Sequence, residues 1–388
     1  MSYKILTLNN ISVKGLRRLP RDTFEVASEI GHPDAVLLRS YNMHDMDIPA
    51  TVQAIGRAGA GVNNIPIDAM THRGVPVFNA PGANANAVKE LVIAGMLLAA
   101  RNICPAWRYV QELEAEGAAL NKLVEAGKKK FVGFELPART LGVVGLGAIG
   151  GEVANAAHSL GMRVIGFDPQ LTVERAWQLS SGIEQARSLD DLFSRADIVS
   201  FHVPLNDATR NLANAERIAL MPEGSVLLNF ARGGIVDDEA VESALAGNRL
   251  AAYVTDFPVA GLKDHPRVVA LPHLGASTGE AEENCAIMVA NNVRDYLENG
   301  NIRHSVNFPE AQMPREGDNR LTIANMNVPN MVGQISTCLA DAGLNIHDML
   351  NKSRGEIAYT LVDLDGLMSD ETMQRIRGID GVLSARLV

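Results

Sequence analysis

Short apolar runs alternate with stretches whose hydrophobic positions recur every three or four residues through most of this 388-residue chain. Between residues 3 and 79 the runs YKILTL, AVLLRS, VQAIGRAG and VPVFNA are separated by helical segments and turn residues. That pattern predicts parallel strands joined by crossover helices. A long helix is predicted over 87–101 and a second, heavily charged helical stretch over 107–130. The runs TLGVVG, MRVIGFD, ADIVSFHV, GSVLLNFA, AAYVTDF and RVVALPH then repeat the strand pattern with helices between them. Another long helix is expected over 277–300, followed by VNFP at 306–309. The polar stretch 310–319 contains Pro and Gly and reads as a linker. Beyond it the order is strand RLTIANM, helix, strand IHDMLNKSR, strand IAYTLVDLDG, helix, strand VLSARLV. This βαββαβ order is the ferredoxin-like split and predicts a compact, separate C-terminal domain.

One strand-to-helix junction carries a chemical signal. LGVVGLGAIGGEVANAAHSLGMRVIGFDP places Gly145, Gly147 and Gly150 in the spacing G-x-G-x-x-G, between an apolar strand and an amphipathic helix. The first glycine permits a tight turn, the second lets backbone approach a pyrophosphate, and the third lets the helix pack on the strand. Alone the pattern is weak, because a glycine-rich turn need hold no ligand. Asp168 strengthens it by ending the next strand, where a carboxylate accepts hydrogen bonds from both hydroxyls of an adenine ribose. The same charge repels a 2′-phosphate, and the nearest following arginine is Arg175, so NAD is favoured over NADP.

Composition narrows the partners. The chain is 47% hydrophobic and 21% charged, with a net charge of −10, which argues against nucleic acid or an anionic membrane as the main partner. An anionic substrate therefore needs a local basic pocket. Cys104, Cys285 and Cys338 are odd in number, far apart and without metal-ligand spacing, as expected of reduced thiols. The opening MSYKILTLNNIS reads as a strand rather than a signal peptide, and LVIAGMLLAA is too short to span a bilayer. The expectation is a soluble, cytoplasmic protein.

Two further residues sit at predicted strand ends. Arg232, in VLLNFARGGIVDDEAV, could clamp a carboxylate in a bidentate pair and polarise an adjacent carbonyl. His273, in VVALPHLGAST, is the side chain type best matched to proton transfer near neutral pH. Singly, an interstrand arginine is more often a surface residue and such a histidine more often a cap. Together, at strand ends of one nucleotide-binding sheet, they point to a reaction site.

The stretch HVPLNDATRNLANAERIALMPEGSVLLNFARGGIVDDEAVESAL, with LPHLGAST, RAGAGVNNIPID and NAPGANANAVKELVI, closely resembles the D-isomer-specific 2-hydroxyacid dehydrogenases. The C-terminal module resembles an ACT domain, so the likeness spans essentially the whole chain. It implies an α/β fold with two Rossmann-like doubly wound parallel-sheet domains and a ferredoxin-like third domain. The cofactor domain would be inserted into a split substrate domain, which explains a glycine motif in mid-chain. The expected boundaries are 1–93 with 280–310 for the substrate domain, 94–279 for the NAD domain and 319–388 for the ACT domain.

The resemblance also implies residue roles. Arg232 binds the substrate carboxylate and C2 oxygen, and His273 is the general acid/base. Ala148 and Ile149 meet the pyrophosphate, Asp168 the ribose; Phe230, Ala231, Asp256, Gly275 and Ala276 border the nicotinamide side. Arg39, Ser40, Ala60, Gly61 and Val62 hold substrate, and Arg39 with Arg139 takes a distal phosphate. In the ACT module Asn325, Asn327 and Asn345 form an effector site for L-serine between neighbouring copies; otherwise they serve turns. The implied activity is NAD-dependent oxidation of D-3-phosphoglycerate to 3-phosphooxypyruvate, the first step of serine biosynthesis, by a homo-oligomer. Oxidation of another D-2-hydroxy acid, or sensing of NAD and an amino acid without turnover, are the alternatives.

One position departs from the family. A glutamate usually follows the aspartate at Asp256 by five residues, and Gly261 stands there. The histidine's orienting carboxylate is therefore missing or supplied by another acid. Asp264, Glu280 and Asp256 are the candidates, with Asp264 preferred for lying in the same loop.

Overall fold

The computed structural model describes residues 2–316 and 319–388. They form two compact units, 1–83 with 279–388, and 84–278.

In the first unit five short strands, β1 (Tyr3–Leu8), β2 (Phe24–Ala27), β3 (Ala35–Leu38), β4 (Ala54–Arg57) and β5 (Val77–Phe78), make a parallel sheet in the order β2-β1-β3-β4-β5. All four residues of β3 are buried, as expected of a strand covered on both faces. The helix Gly279–Asn299 packs on this sheet through Cys285, Ala286, Val289, Ala290 and Val293.

The second unit holds β6 (Thr140–Val144), β7 (Arg163–Phe167), β8 (Ile183–Gln185), β9 (Ile198–Phe201), β10 (Ser225–Asn229), β11 (Leu250–Thr255) and β12 (Val268–Ala270). Every pairing is parallel and the order is β12-β11-β10-β9-β6-β7-β8. This is the doubly wound arrangement, and its topological switch lies between β6 and β9. The helix Ala85–Ala100 belongs to this unit, where Val88, Val92 and Met96 join the core of β6 and β10. The compact units therefore divide at 83/84, ten residues before the 93/94 boundary read from sequence. The charged stretch after it is two helices, Ile103–Gln111 and Gly117–Gly127, not one. Neither these nor any other helix among the described residues is long and apolar enough to cross a membrane.

The last four strands, β13 (Asn319–Met326), β14 (Asn345–Arg354), β15 (Ile357–Asp365) and β16 (Val382–Leu387), form an antiparallel sheet in the order β14-β15-β13-β16. It has the predicted βαββαβ order, but it does not stand apart. Leu321, Ile323, Val362 and Leu364 pack beneath its two helices, while Ala324, Ile357, Tyr359 and Leu361 join the core of the first sheet. Of the stretch read as a linker, 317–318 lie outside the described residues, and the part up to 316 is pinned as well. Buried Arg320 forms a fork with Asp363, Nε to Oδ1 at 2.6 Å and Nη2 to Oδ2 at 2.8 Å, and donates to the carbonyls of Asn299, Met313 and Pro314. The Tyr359 hydroxyl donates to Gly300 O, and Arg386 lies over the Tyr296 ring while donating to Tyr296 O. The C-terminal module is thus clamped to the end of helix Gly279–Asn299.

Candidate active site

The glycine turn joins the carboxyl end of β6 to helix Ala148–Ser159, at the switch point where ligands bind in such sheets. Gly145 is left-handed at φ 89°, and a side chain there would press on the carbonyl of His202. At Gly150 an added Cβ would collide with Gly145 O, so the helix can sit this close to the turn only with glycine there. At Gly147 an added Cβ would meet nothing within 4 Å, leaving open the space a pyrophosphate needs. Asp168 ends its strand as predicted, its Oδ2 accepting from Leu146 N at 2.9 Å and its Oδ1 from Gln170 N at 2.9 Å. The turn, the open face and the carboxylate fit an adenine dinucleotide with free ribose hydroxyls. His202 backs the turn with Nε2 2.9 Å from Ser200 Oγ, and burial lowers its pKa to about 3, so it remains neutral.

Arg232 lies in the loop after β10, at the same carboxyl edge. Asn229, only 1% exposed, shapes that loop: its Nδ2 donates to Arg232 O at 2.9 Å and its Oδ1 accepts from Ala231 N at 3.2 Å. The guanidinium is exposed and, among the described residues, held by a bond from Nη1 to Ala231 O. Sequence reasoning missed Asn229, although an amide closing an apolar strand before a turn is a recognisable signal. Phe230 is placed otherwise than expected. Its ring is buried against Gly95 in the core, which leaves only its backbone to border a ligand.

The His273 loop follows β12. His273 is left-handed at φ 57°, a conformation that costs a histidine on the order of 1 kcal/mol. Asp256 offsets that strain. Its carbonyl accepts from His273 N at 3.1 Å, its Oδ1 from Leu274 N at 2.8 Å and its Oδ2 from Gly275 N at 2.7 Å. Asp256 is thus a brace for the histidine loop, whatever else it touches. The imidazole is exposed and leans on the Phe257 ring, centroids 4.9 Å apart. Asp264 does not approach as the sequence reading preferred: its side chain is 82% exposed and paired with Lys263 at 2.5 Å. An added Cβ at Gly261 would meet nothing within 4 Å.

In the first unit Arg39 and Ser40 follow β3, and Ala60, Gly61 and Val62 follow β4, so these residues share the carboxyl edge of their sheet. Asn79 Nδ2 donates to Ala60 O at 2.7 Å, and Arg57 Nε donates to Arg39 O at 3.0 Å. The Arg39 guanidinium pairs with Glu282 at 2.7 Å.

One expectation needs correction. Arg139 immediately precedes β6, six residues or roughly 20 Å along the strand from the glycine turn. It sits at the edge of the sheet opposite Arg232 and His273, 3.5 Å from Asp197 and over the Phe134 ring, and so is not placed to take the phosphate of a substrate held by those two residues. In the C-terminal sheet Asn325 pairs with Ala358 of β15 and Asn345 with Asp365. Seven residues of strand, roughly 24 Å, separate the two positions, so within one copy Asn325 and Asn345 lie apart.

Comparisons with known proteins agree with this architecture. Residues 93–275 match the D-isomer specific 2-hydroxyacid dehydrogenase NAD binding domain. The chain is 34% identical to D-3-phosphoglycerate dehydrogenase of Haemophilus influenzae over 347 residues, 86% of this chain and 81% of that one. It is 35% identical to the D-3-phosphoglycerate dehydrogenase of Escherichia coli K12 over 348 residues, with the same coverage. Among solved structures, the NAD+-bound 3-phosphoglycerate dehydrogenase of Entamoeba histolytica superposes with a TM-score of 0.60 at 26% identity, covering 79% of this chain and 99% of that one. The chain belongs to the D-isomer specific 2-hydroxyacid dehydrogenases and is an NAD-dependent oxidoreductase.

Proposed function

We infer that the protein oxidises D-3-phosphoglycerate to 3-phosphooxypyruvate with NAD, a step that feeds serine synthesis in the cytoplasm. The placement of Arg232 and His273 in two braced loops at the carboxyl edge of one nucleotide-binding sheet carries the reading of the reaction. The D-3-phosphoglycerate dehydrogenases to which the chain is similar supply the substrate. The nicotinamide, when bound, supplies the two-electron acceptor. Arg232 pairs with the substrate carboxylate and draws charge from the C2 oxygen as it becomes a carbonyl. His273 takes the hydroxyl proton, and the bonds from Asp256 hold its loop in place before substrate arrives. Arg39 is the partner for the distal phosphate, displacing Glu282 when substrate binds.

Two finer readings rest on separate observations. Ile103, Trp107 and Val110 lie on one face of helix Ile103–Gln111 and are 43%, 65% and 48% exposed, a surface suited to a second copy. A serine site made of Asn325, Asn327 and Asn345 requires Asn345 from a neighbouring copy, given the separation along β15. NADH absorbance followed with 3-phosphoglycerate, D-glycerate and D-lactate tests the substrate. Equal kcat/KM for all three would remove the phosphate from the reading, and no turnover with any would leave a binding protein.

A further inference from the structure

The reading of His273 as proton acceptor leaves its cation without a partner. An imidazole that takes a proton in the transition state gains from a nearby carboxylate, which also fixes its orientation. Gly261 supplies none, Asp264 is turned to solvent with Lys263, and both oxygens of Asp256 are engaged by the amides of Leu274 and Gly275. Glu280 belongs to the other compact unit.

A cavity of about 470 Å³ borders His273, and Asp238 lines it together with Tyr253, Asp256 and Phe257. Its volume admits several waters. Asp238 is the first residue of helix Asp238–Ala246, but the capping is done by Asp237, whose Oδ1 accepts from Glu239 N at 3.1 Å and Ala240 N at 3.2 Å. No described residue hydrogen-bonds the Asp238 carboxylate. The groups facing this space are few. Burial pushes the Tyr253 phenol up to about 12, so it stays neutral. Arg232 adjoins the lining residue Gly233, and Asp237 lies beside Asp238. Burial, then the charge of Asp237, raises the Asp238 carboxyl from its ordinary value.

We propose that Asp238 is the positioning and charge partner of His273, acting through water in this cavity in place of the family's missing glutamate. In the oxidation direction the C2 hydrogen leaves with its electron pair to the bound nicotinamide, and the hydroxyl proton passes to one ring nitrogen of His273. A proton from the other ring nitrogen passes through water to the Asp238 carboxylate, which releases it to solvent.

The test compares kcat and kcat/KM against pH for the full-length enzyme and its Asp238→Asn, Asp238→Glu, Asp238→Ala and His273→Ala variants, with NAD affinity measured alongside. Oxidation needs His273 as a proton acceptor, so activity falls on the acid side of the pH profile. Removing the Asp238 charge makes the imidazolium harder to form and moves that acid limb to lower pH, by about 0.5–1 unit, with kcat down about tenfold. Asp238→Glu should restore the limb. So should Asp238→Asn combined with Gly261→Glu, since a Cβ at position 261 meets nothing within 4 Å. NAD affinity should not change. Should Asp238→Asn fail to fold, Asp238→Ala gives the same readout, since alanine is accepted in a first helical turn. An inactive His273→Ala with neutral Asp238 variants that superimpose on wild type overturns the role of Asp238 alone. An active His273→Ala overturns the assignment of the base on which it rests.

Discussion

Replacing Asp363 by Asn leaves the Arg320 guanidinium buried beside a neutral amide, and the consequence follows from the geometry of the pair. Both side chains are 0% exposed, and the carboxylate meets two guanidinium nitrogens at 2.6 and 2.8 Å and the amide of Glu316 at 3.2 Å. Breaking a pair this buried typically costs 3–5 kcal/mol, against a native stability of roughly 5–15 kcal/mol for a domain. At 1.36 kcal/mol per power of ten, that is a loss of about two to three and a half powers of ten in protection. Native-state hydrogen exchange read on β13 and β15 should show it, because Trp107 and Trp177 both lie in the other compact unit and fluorescence would not. A double variant, Arg320→Met with Asp363→Leu, removes both charges and should recover most of the protection. Burial alone would raise the Asp363 carboxyl, but the hydrogen bonds and charge of Arg320, with the Glu316 amide, hold it below its ordinary value. A depressed carboxyl contributes stability that is present above the unfolded value, about 3.9, and lost as pH falls through the folded one. The wild-type advantage over Asp363→Asn should therefore shrink below about pH 4. Exchange rates in Asp363→Asn within a factor of three of wild type at neutral pH would refute the clamp.

Asp168→Ala should weaken NAD and relieve the repulsion of a 2′-phosphate, narrowing an NAD preference expected to be at least about tenfold; equal kcat/KM with NAD and NADP in the wild type would count against the carboxylate's role. Glu282→Gln releases Arg39 from its ion pair and should lower KM for 3-phosphoglycerate several-fold without changing KM for D-lactate, as steady-state kinetics can decide. Calorimetry should find L-serine binding lost in Asn325→Ala and in Asn345→Ala, yet partly regained when the two variants are mixed into hybrid oligomers. Absence of binding to the wild-type oligomer would count against an effector site at these asparagines, two of which, Asn325 and Asn345, lie in β13 and β14.

The parallel strands were legible because each is a short apolar run between turn residues, and the period-3.6 helices between them are long enough to register. The two strands that escaped, Phe24–Ala27 and Ile183–Gln185, are short edge strands carrying Glu25, Glu184 and Gln185, the polar residues that keep sheet edges from pairing. The docking of the C-terminal module escaped for a different reason. Arg320 lies at the start of β13 directly after a polar stretch, and its burial depends on Asp363, a partner 43 residues away in β15. A signal was nevertheless present. IAYTLVDLD lacks the alternation of a half-exposed antiparallel strand, and its first eight residues are all buried, between the module's helices on one face and the first sheet's core on the other.

Strand direction would have sorted the arginines before any coordinates. In a parallel sheet ligands collect at the carboxyl edge, so a residue just after a strand is a candidate and a residue just before one is not. Arg232 follows β10, His273 follows β12 after two residues, and Arg39 follows β3; Arg139 precedes β6 and belongs with Asp197 at the far edge. The same rule admits Asp238, which lies past β10 and beyond Arg232 on the same connection. The acids that sequence offers for the missing glutamate, Asp256, Asp264 and Glu280, all lie within 17 residues of His273, and Asp238 does not. The cavity beside His273 is bounded from the β10 side as well, and an acid that approaches from there shares no sequence neighbourhood with the residue it would serve.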